Sequence, residues 1–260
     1  MDRLYRIDHQ GSAGYAVERD GVLCRTTGDV FGSYSAGAAI AGGLNAPGLK
    51  MLPPVTPSKI VCVGLNYKDH AAETGKPLPS EPLLFIKPST AVIGPGHPIR
   101  VPPGVGRIDY EAELGIVIGR RAHRVPRAKA WDFVGGLICV NDVTARDLQK
   151  KESQFTRCKG FDTFAPIGPC IAVESGASAG APRMVESYLN GERRQSSSTR
   201  ELIFPIDVLV EFITFVMTLE PGDIIATGTP AGIAPMKHGD RVTIMVEGVG
   251  ELTNPVEAEA

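Results

Sequence analysis

Two glutamates one residue apart, Glu111 and Glu113, stand at the head of the apolar, β-branched run Leu114-Gly115-Ile116-Val117-Ile118. That run reads as a strand, and residues two apart on a strand project from the same face, so the two carboxylates lie side by side. Like charges that close repel unless a cation or a shared proton neutralises them. Hard divalent cations such as Mg²⁺ or Mn²⁺ take all-oxygen carboxylate ligation of this kind. The pair asks for a third ligand, and Asp142, at the end of the apolar run 134–141, is the candidate. Three carboxylates plus waters would leave positions open for a bidentate ligand. Taken alone, Asp142 reads more readily as a cap or turn residue, and a Glu-x-Glu pair as a solvated strand face. Their conjunction, on apolar runs expected to be adjacent strands, is what points to a metal.

Three other features carry chemistry. Lys159, between Cys158 and Gly160-Phe161, would stabilise an enolate or oxyanion if it lay beside such a metal; by itself it reads as a snorkelling surface lysine. His70 and Glu73 are spaced i, i+3, which on a helix places them on one side. A carboxylate-oriented imidazole is a general base able to activate water, and a solvated loop pair is the plainer alternative. The turn Thr227-Gly228-Thr229-Pro230 is rich in hydroxyls and backbone N–H groups and could grip a carboxylate, although tight turns look the same.

The elements that must position these groups are short strands. Strands are expected at 60–64, 83–86, 111–118, 136–140, 169–173, 223–227 and 241–246, with helices at 128–133 and 205–218 and about two helical turns within 66–75 ended by Gly75. The first 55 residues read as a separate small unit built on a hairpin over 14–24 with Asp20-Gly21 at its turn, and three prolines within 51–57 mark its boundary. Residues 56–260 form the second unit. Helices are few and regular βαβ alternation is missing, so the fold class is α+β or mostly β; 30 Gly and 21 Pro agree with many turns.

Composition excludes more than it selects. At 260 residues, 43% hydrophobic and 22% charged, the chain suits an ordinary globular protein with a large core. A formal net charge of −2 supplies no basic field for nucleic acid or anionic membranes. Five scattered cysteines without a CxxC pair indicate neither a disulfide framework nor zinc. No apolar run approaches a membrane span and no signal-peptide core opens the chain, so a reduced, cytoplasmic protein is expected. P-loop, dinucleotide and serine-hydrolase motifs are missing.

The ordered segments GLNYKDHAAE, EPLLFIKPST, DYEAELGIVIG, FVGGLICVNDVTARDLQ, KGFDTFAPIGP, YLNGERRQ and TLEPGDIIATGTPAG, spanning about residues 58 to 255, resemble the fumarylacetoacetate hydrolase superfamily. The resemblance is to the branch of acylpyruvate hydrolases, oxaloacetate decarboxylases and 2-hydroxyhepta-2,4-diene-1,7-dioate isomerases, some of them in aromatic catabolism. It implies a mixed-sheet β-roll with a small variable N-terminal domain, and a homodimer. It also implies that Glu111, Glu113 and Asp142 bind Mg²⁺ or Mn²⁺, that Lys159 contacts substrate, and that His70 and Glu73 form a dyad on a mobile lid. Arg146 and Gln149 would lie near the substrate, and Thr229 would hold its carboxylate. The implied activity is on a small 2-oxo acid: C–C hydrolysis of an acylpyruvate-like β-diketo acid through a metal-stabilised enolate. Decarboxylation or isomerisation of a related diacid is the alternative, and a non-catalytic metal-binding scaffold is the reading of another class.

Overall fold

The computed structural model describes residues 2–173 and 180–259, leaving Met1, residues 174–179 and Ala260 outside the description. The fold is α+β with mixed sheets. A twelve-stranded sheet has at its centre the strands Ala165–Ala172, Val134–Asn141, Ala112–Ile118, Ile224–Ala226 and Lys59–Gly64, in that order across the sheet. Most pairs are antiparallel, but Ile224–Ala226 runs parallel to Lys59–Gly64. Every residue of Ala112–Ile118 is buried, which explains why the segment reads as a continuous apolar run rather than an alternating one.

Each face of that strand has its own cover. Leu114, Ile116 and Ile118 share a core cluster with Val185, Val242 and Ile244, from a five-stranded sheet, and with Leu209, Val210 and Ile213 of the helix Ile206–Val216. Val117, on the opposite face, packs with Ile138, Val140, Ile167 and Ile224. Gly115 lies on this second face because a Cβ there would meet Val140 Cγ2 at 2.5 Å.

The N-terminal hairpin forms as expected. Ser12–Arg19 pairs with Val22–Gly28 through a two-residue turn in which Asp20 and Gly21 have φ of +52° and +78°, the left-handed pair this turn type requires. Strand Arg3–His9 then pairs with Ala165–Ala172, so the N-terminal strands continue the large sheet. Two elements differ from expectation. The expected helix at 128–133 is a run of tighter 3₁₀ turns, Arg127–Phe133, entered from Pro126. The strand expected from residue 169 begins at Ala165, carrying Pro166 and Pro169 within it; prolines ordinarily signal a break, which hid its first half. Among the described residues no helix is long and apolar enough to cross a membrane.

Candidate active site

Strand register brings the three acids together. Ala112 pairs with Asn141 and Glu113 with Val140 across an antiparallel ladder, which puts Glu111 and Asp142, each one residue beyond the paired stretch, side by side. Backbone geometry fixes the corner: the Asp142 N–H donates to the Glu111 carbonyl at 3.0 Å, and the Glu111 N–H donates to Asn141 Oδ1 at 3.0 Å. Ligand oxygens of Glu111, Glu113 and Asp142 all lie within 4.8 Å of one another. All three residues are buried, at 6%, 1% and 1% exposure.

Two lysines and an arginine face this cluster. Lys159 Nζ donates to Glu111 Oε2 at 2.8 Å, Asp142 Oδ2 at 2.5 Å and Thr144 Oγ1 at 2.8 Å. It is 3% exposed, so it is not the snorkelling surface lysine that the local sequence suggests. Burial would lower its pKa, but the Asp142 and Glu111 charges outweigh that and raise it, so the ammonium keeps its proton. Arg146 opens the helix Arg146–Lys151; its Nη2 donates to Glu111 at 2.6 Å, its Nε to Asp109 at 2.9 Å and its Nη1 to Gln149 at 2.5 Å. Burial would raise the Glu111 carboxyl, yet Lys159 and Arg146 bring it down to about 2.

Glu113 has no such support. Its polar contact is the Gly228 N–H at 2.8 Å, and burial, with the Asp142 and Glu111 charges behind it, raises its carboxyl well above the ordinary range. A dense, buried, all-oxygen donor set in which one carboxylate lacks a cation partner among the described residues fits a hard divalent ion. Glu111, Glu113 and Asp142 could hold it. Around them Lys87, Lys159 and Arg146 already match three negative charges with three positive ones, so a bound divalent ion leaves positive charge over for an anionic ligand.

The cavity above the triad measures about 390 Å³. His70, Arg146, Gln149, Lys159 and Thr229 line it with the three acids. His70 lies on the helix Lys68–Thr74, which Gly75 ends in the left-handed conformation, φ +63°. His70 Nδ1 is 2.9 Å from Glu73 Oε2, while Glu73 Oε1 accepts the Gly232 N–H at 3.0 Å. One carboxylate therefore orients the imidazole and ties the helix to the loop after Thr229. With Nδ1–H donated to Glu73, Nε2 is the basic nitrogen.

Thr229 sits at the cavity wall with its hydroxyl engaged: Oγ1 donates to the Ala112 carbonyl at 2.9 Å and accepts from Gln195 Nε2 at 2.8 Å. A ligand carboxylate meeting that hydroxyl must compete with Ala112.

Several residues here went unassigned at the sequence level. Lys87, 0% exposed, donates to Asp142 Oδ1 at 2.5 Å and to the Val143 carbonyl at 3.1 Å; its signal was a lone lysine in the strand Leu83–Pro88. Asp109, also 0% exposed, is held by Arg107 and Arg146. Gln195 accepts the Ala112 N–H and donates to Thr229 and the Pro230 carbonyl, reaching in from the strand Glu192–Ser198.

Residues 59–257 match the fumarylacetoacetate (FAA) hydrolase C-terminal family. The oxaloacetate tautomerase YisK of Bacillus subtilis is 40% identical over 220 residues, covering 80% of this chain and 73% of that protein. The structure of 2-hydroxyhepta-2,4-diene-1,7-dioate isomerase from Mycobacterium marinum aligns over 100% of both chains at 38% identity and a TM-score of 0.89. That of fumarylpyruvate hydrolase from Pseudomonas aeruginosa, in complex with Mn²⁺ and pyruvate, aligns over 81% of this chain and 92% of its own at 31% identity and a TM-score of 0.73. With a family match that runs from the start of the strand Lys59–Gly64 almost to the end of the last strand, this chain belongs to the fumarylacetoacetate hydrolase family.

Proposed function

We propose that this protein cleaves a carbon–carbon bond of an acylpyruvate-like β-diketo acid, with Mg²⁺ or Mn²⁺ held by Glu111, Glu113 and Asp142. The observation that carries the reading is His70, oriented by Glu73, on the wall of the cavity that the buried triad also lines. Such an ion, held by these three carboxylates, would supply a Lewis acid able to stabilise negative charge developing on the 2-oxo acid.

The chain's own groups do the rest. His70 Nε2 removes a proton from water, and Glu73 balances the imidazolium through Nδ1–H. Hydroxide adds to the distal carbonyl carbon, the bond from that carbon to C3 breaks, and its electron pair becomes the enolate of pyruvate. Lys159, held protonated, stands beside that charge. The enolate then takes at C3 the proton that His70 Nε2 removed from water, which leaves pyruvate and returns the imidazole to its neutral form. Arg146, Gln149 and Thr229 line the cavity beside these groups.

A second reading is favoured by the likeness to YisK, named an oxaloacetate tautomerase, and to the M. marinum isomerase. On the same enolate, His70 would only move a proton and no water would add. A panel of acetylpyruvate, fumarylpyruvate, oxaloacetate and 2-hydroxymuconate-type diacids separates the two. Release of pyruvate and a carboxylic acid supports hydrolysis; interconversion of tautomers without C–C cleavage overturns it in favour of the second. His70→Ala should abolish hydrolysis while calorimetric Mn²⁺ binding persists, and unchanged turnover removes His70 from the reaction. A homodimer and a distinct role for residues 1–55 belong to the same proposal; sedimentation measures the first.

A further inference from the structure

The cations of the cavity fall into two groups. Lys159 and Arg146, lining its floor, are saturated by carboxylates. Lys76 and Lys150 line the same cavity, are exposed, and have no ion-pair or hydrogen-bond partner for their ammonium groups among the described residues. Leu65, Leu83, Phe85 and Phe155 add an apolar lining to the same cavity. A cavity whose buried acids could hold a cation and whose exposed rim carries two unpartnered ammonium groups matches a ligand with an anionic group at each end.

The two lysines belong to different parts of the molecule. Lys76 follows Gly75, the residue that ends the helix bearing His70 and Glu73, and its N–H donates back to the Ala71 carbonyl. It is therefore tied to the end of that helix. Lys150 lies on the helix Arg146–Lys151, four residues after Arg146 and on the same helical face. Arg146 in turn is fixed to Glu111 and Asp109, so Lys150 belongs to the body that holds the triad.

We propose that Lys76 and Lys150 together grip a second, distal anionic group of the substrate, and that this group straps the His70 helix onto the body of the enzyme. The proposal rests on the 2-oxo acid reading and narrows it to 2-oxo acids carrying a second carboxylate. Binding energy from the end remote from the reacting bond is thereby spent on seating the general base. The atoms that react are those already described, and no further co-reactant is involved.

The test compares fumarylpyruvate, a dianion, with acetylpyruvate, a monoanion, in the wild type, Lys76→Met, Lys150→Met and the double variant. Both lysines are exposed, so the variants should fold. The ratio of kcat/KM for the dianion to that for the monoanion should fall about ten- to a hundredfold in each single variant, the value of a charge-assisted hydrogen bond. The double variant should fall little further, because two grips on one anion are coupled. A ratio that survives both single substitutions overturns the assignment while leaving the 2-oxo acid reading intact. Losses that simply multiply overturn the strap. Turnover of neither substrate with any divalent cation refutes the underlying reading and takes this proposal with it.

Discussion

Lys87 and Asp142 form an ion pair sealed from solvent, with Nζ 2.5 Å from Oδ1 and side chains 0% and 1% exposed. Lys87 arrives from the strand Leu83–Pro88 at the edge of the large sheet, and Asp142 follows a central one. Lys87 meets one Asp142 oxygen while Lys159 meets the other. Removing one member of a buried pair leaves an uncompensated charge, so Lys87→Met should cost about 3–5 kcal/mol. Urea unfolding in chelator measures it, and the double variant Lys87→Met/Asp142→Asn should lose less than the two single losses added. A single variant within about 0.5 kcal/mol of wild type would show that the pair contributes nothing measurable.

Glu113 is the opposite case, a buried carboxylate that the Asp142 and Glu111 charges push further up than Lys159 brings it down. In metal-free protein its charge is a liability, and Glu113→Gln removes it at almost constant volume. The variant should be more stable than wild type in EDTA, by roughly 1–3 kcal/mol. It should also gain nothing from Mn²⁺, whereas wild type gains stability by mass action. Thermal melts with and without Mn²⁺ give both readouts, and an undiminished Mn²⁺ shift in the variant would refute Glu113 as a ligand.

The acidic triad could be read from sequence because strand periodicity and register follow from apolar runs: Glu111 and Glu113 share a face, and the ladder Ala112 to Asn141 brings up Asp142. The hairpin at Asp20-Gly21 was equally plain. Gln195 was not. Its strand Glu192–Ser198 is polar throughout and buries only Gln195 and Ser197 in its interior, so its period of two is written in polar residues that a hydrophobic pattern cannot register. The turn before it, Asn190-Gly191 with φ of +54° and +85°, was the available signal. Lys87 was hidden differently: one lysine in a strand is ordinarily solvated, and only its tertiary partner Asp142 reveals that it is not.

Asp223 clamps the starts of the two parallel strands that lead to the site, Lys59–Gly64 and Ile224–Ala226. Its carboxylate accepts from Ser58 N–H and Oγ–H at 2.9 and 2.7 Å, from Lys59 Nζ at 2.5 Å and from the Glu220 N–H at 2.9 Å. Burial alone would raise its pKa, but these donors outweigh it and hold the carboxyl below its ordinary 3.8. A depressed folded-state value means the stabilisation is complete above 3.8 and drains away as pH falls through the lower folded value. Asp223→Asn should therefore be destabilised by about 1–3 kcal/mol at neutral pH. The gap from wild type should close on acidification below about pH 4. Urea midpoints measured across that range check it, and a gap that stayed constant with pH would show that the carboxylate charge is not what the clamp uses.

Gln195 reaches from the five-stranded sheet into the large one. It binds the Ala112 N–H at 3.0 Å, between the two glutamates, and the Thr229 hydroxyl and Pro230 carbonyl at 2.8 Å each. The amide thus sets the spacing between the strand that carries Glu113 and the turn whose Gly228 N–H meets it. Gln195→Ala leaves Ala112 N–H and Pro230 C=O unpaired in the interior, at a cost of about 1–3 kcal/mol each when unrelieved. It should also lower kcat/KM by about ten- to a hundredfold, the usual cost of removing a group that orients a site without touching the ligand. Gln195→Glu distinguishes positioning from bulk, because it keeps the size and the acceptor for Ala112 but cannot donate to Thr229 and Pro230 when ionised. Its activity should fall with that of the alanine variant while its packing volume is preserved. If Gln195→Glu instead retained wild-type kcat/KM, the Thr229 turn would be held in place by something other than this amide.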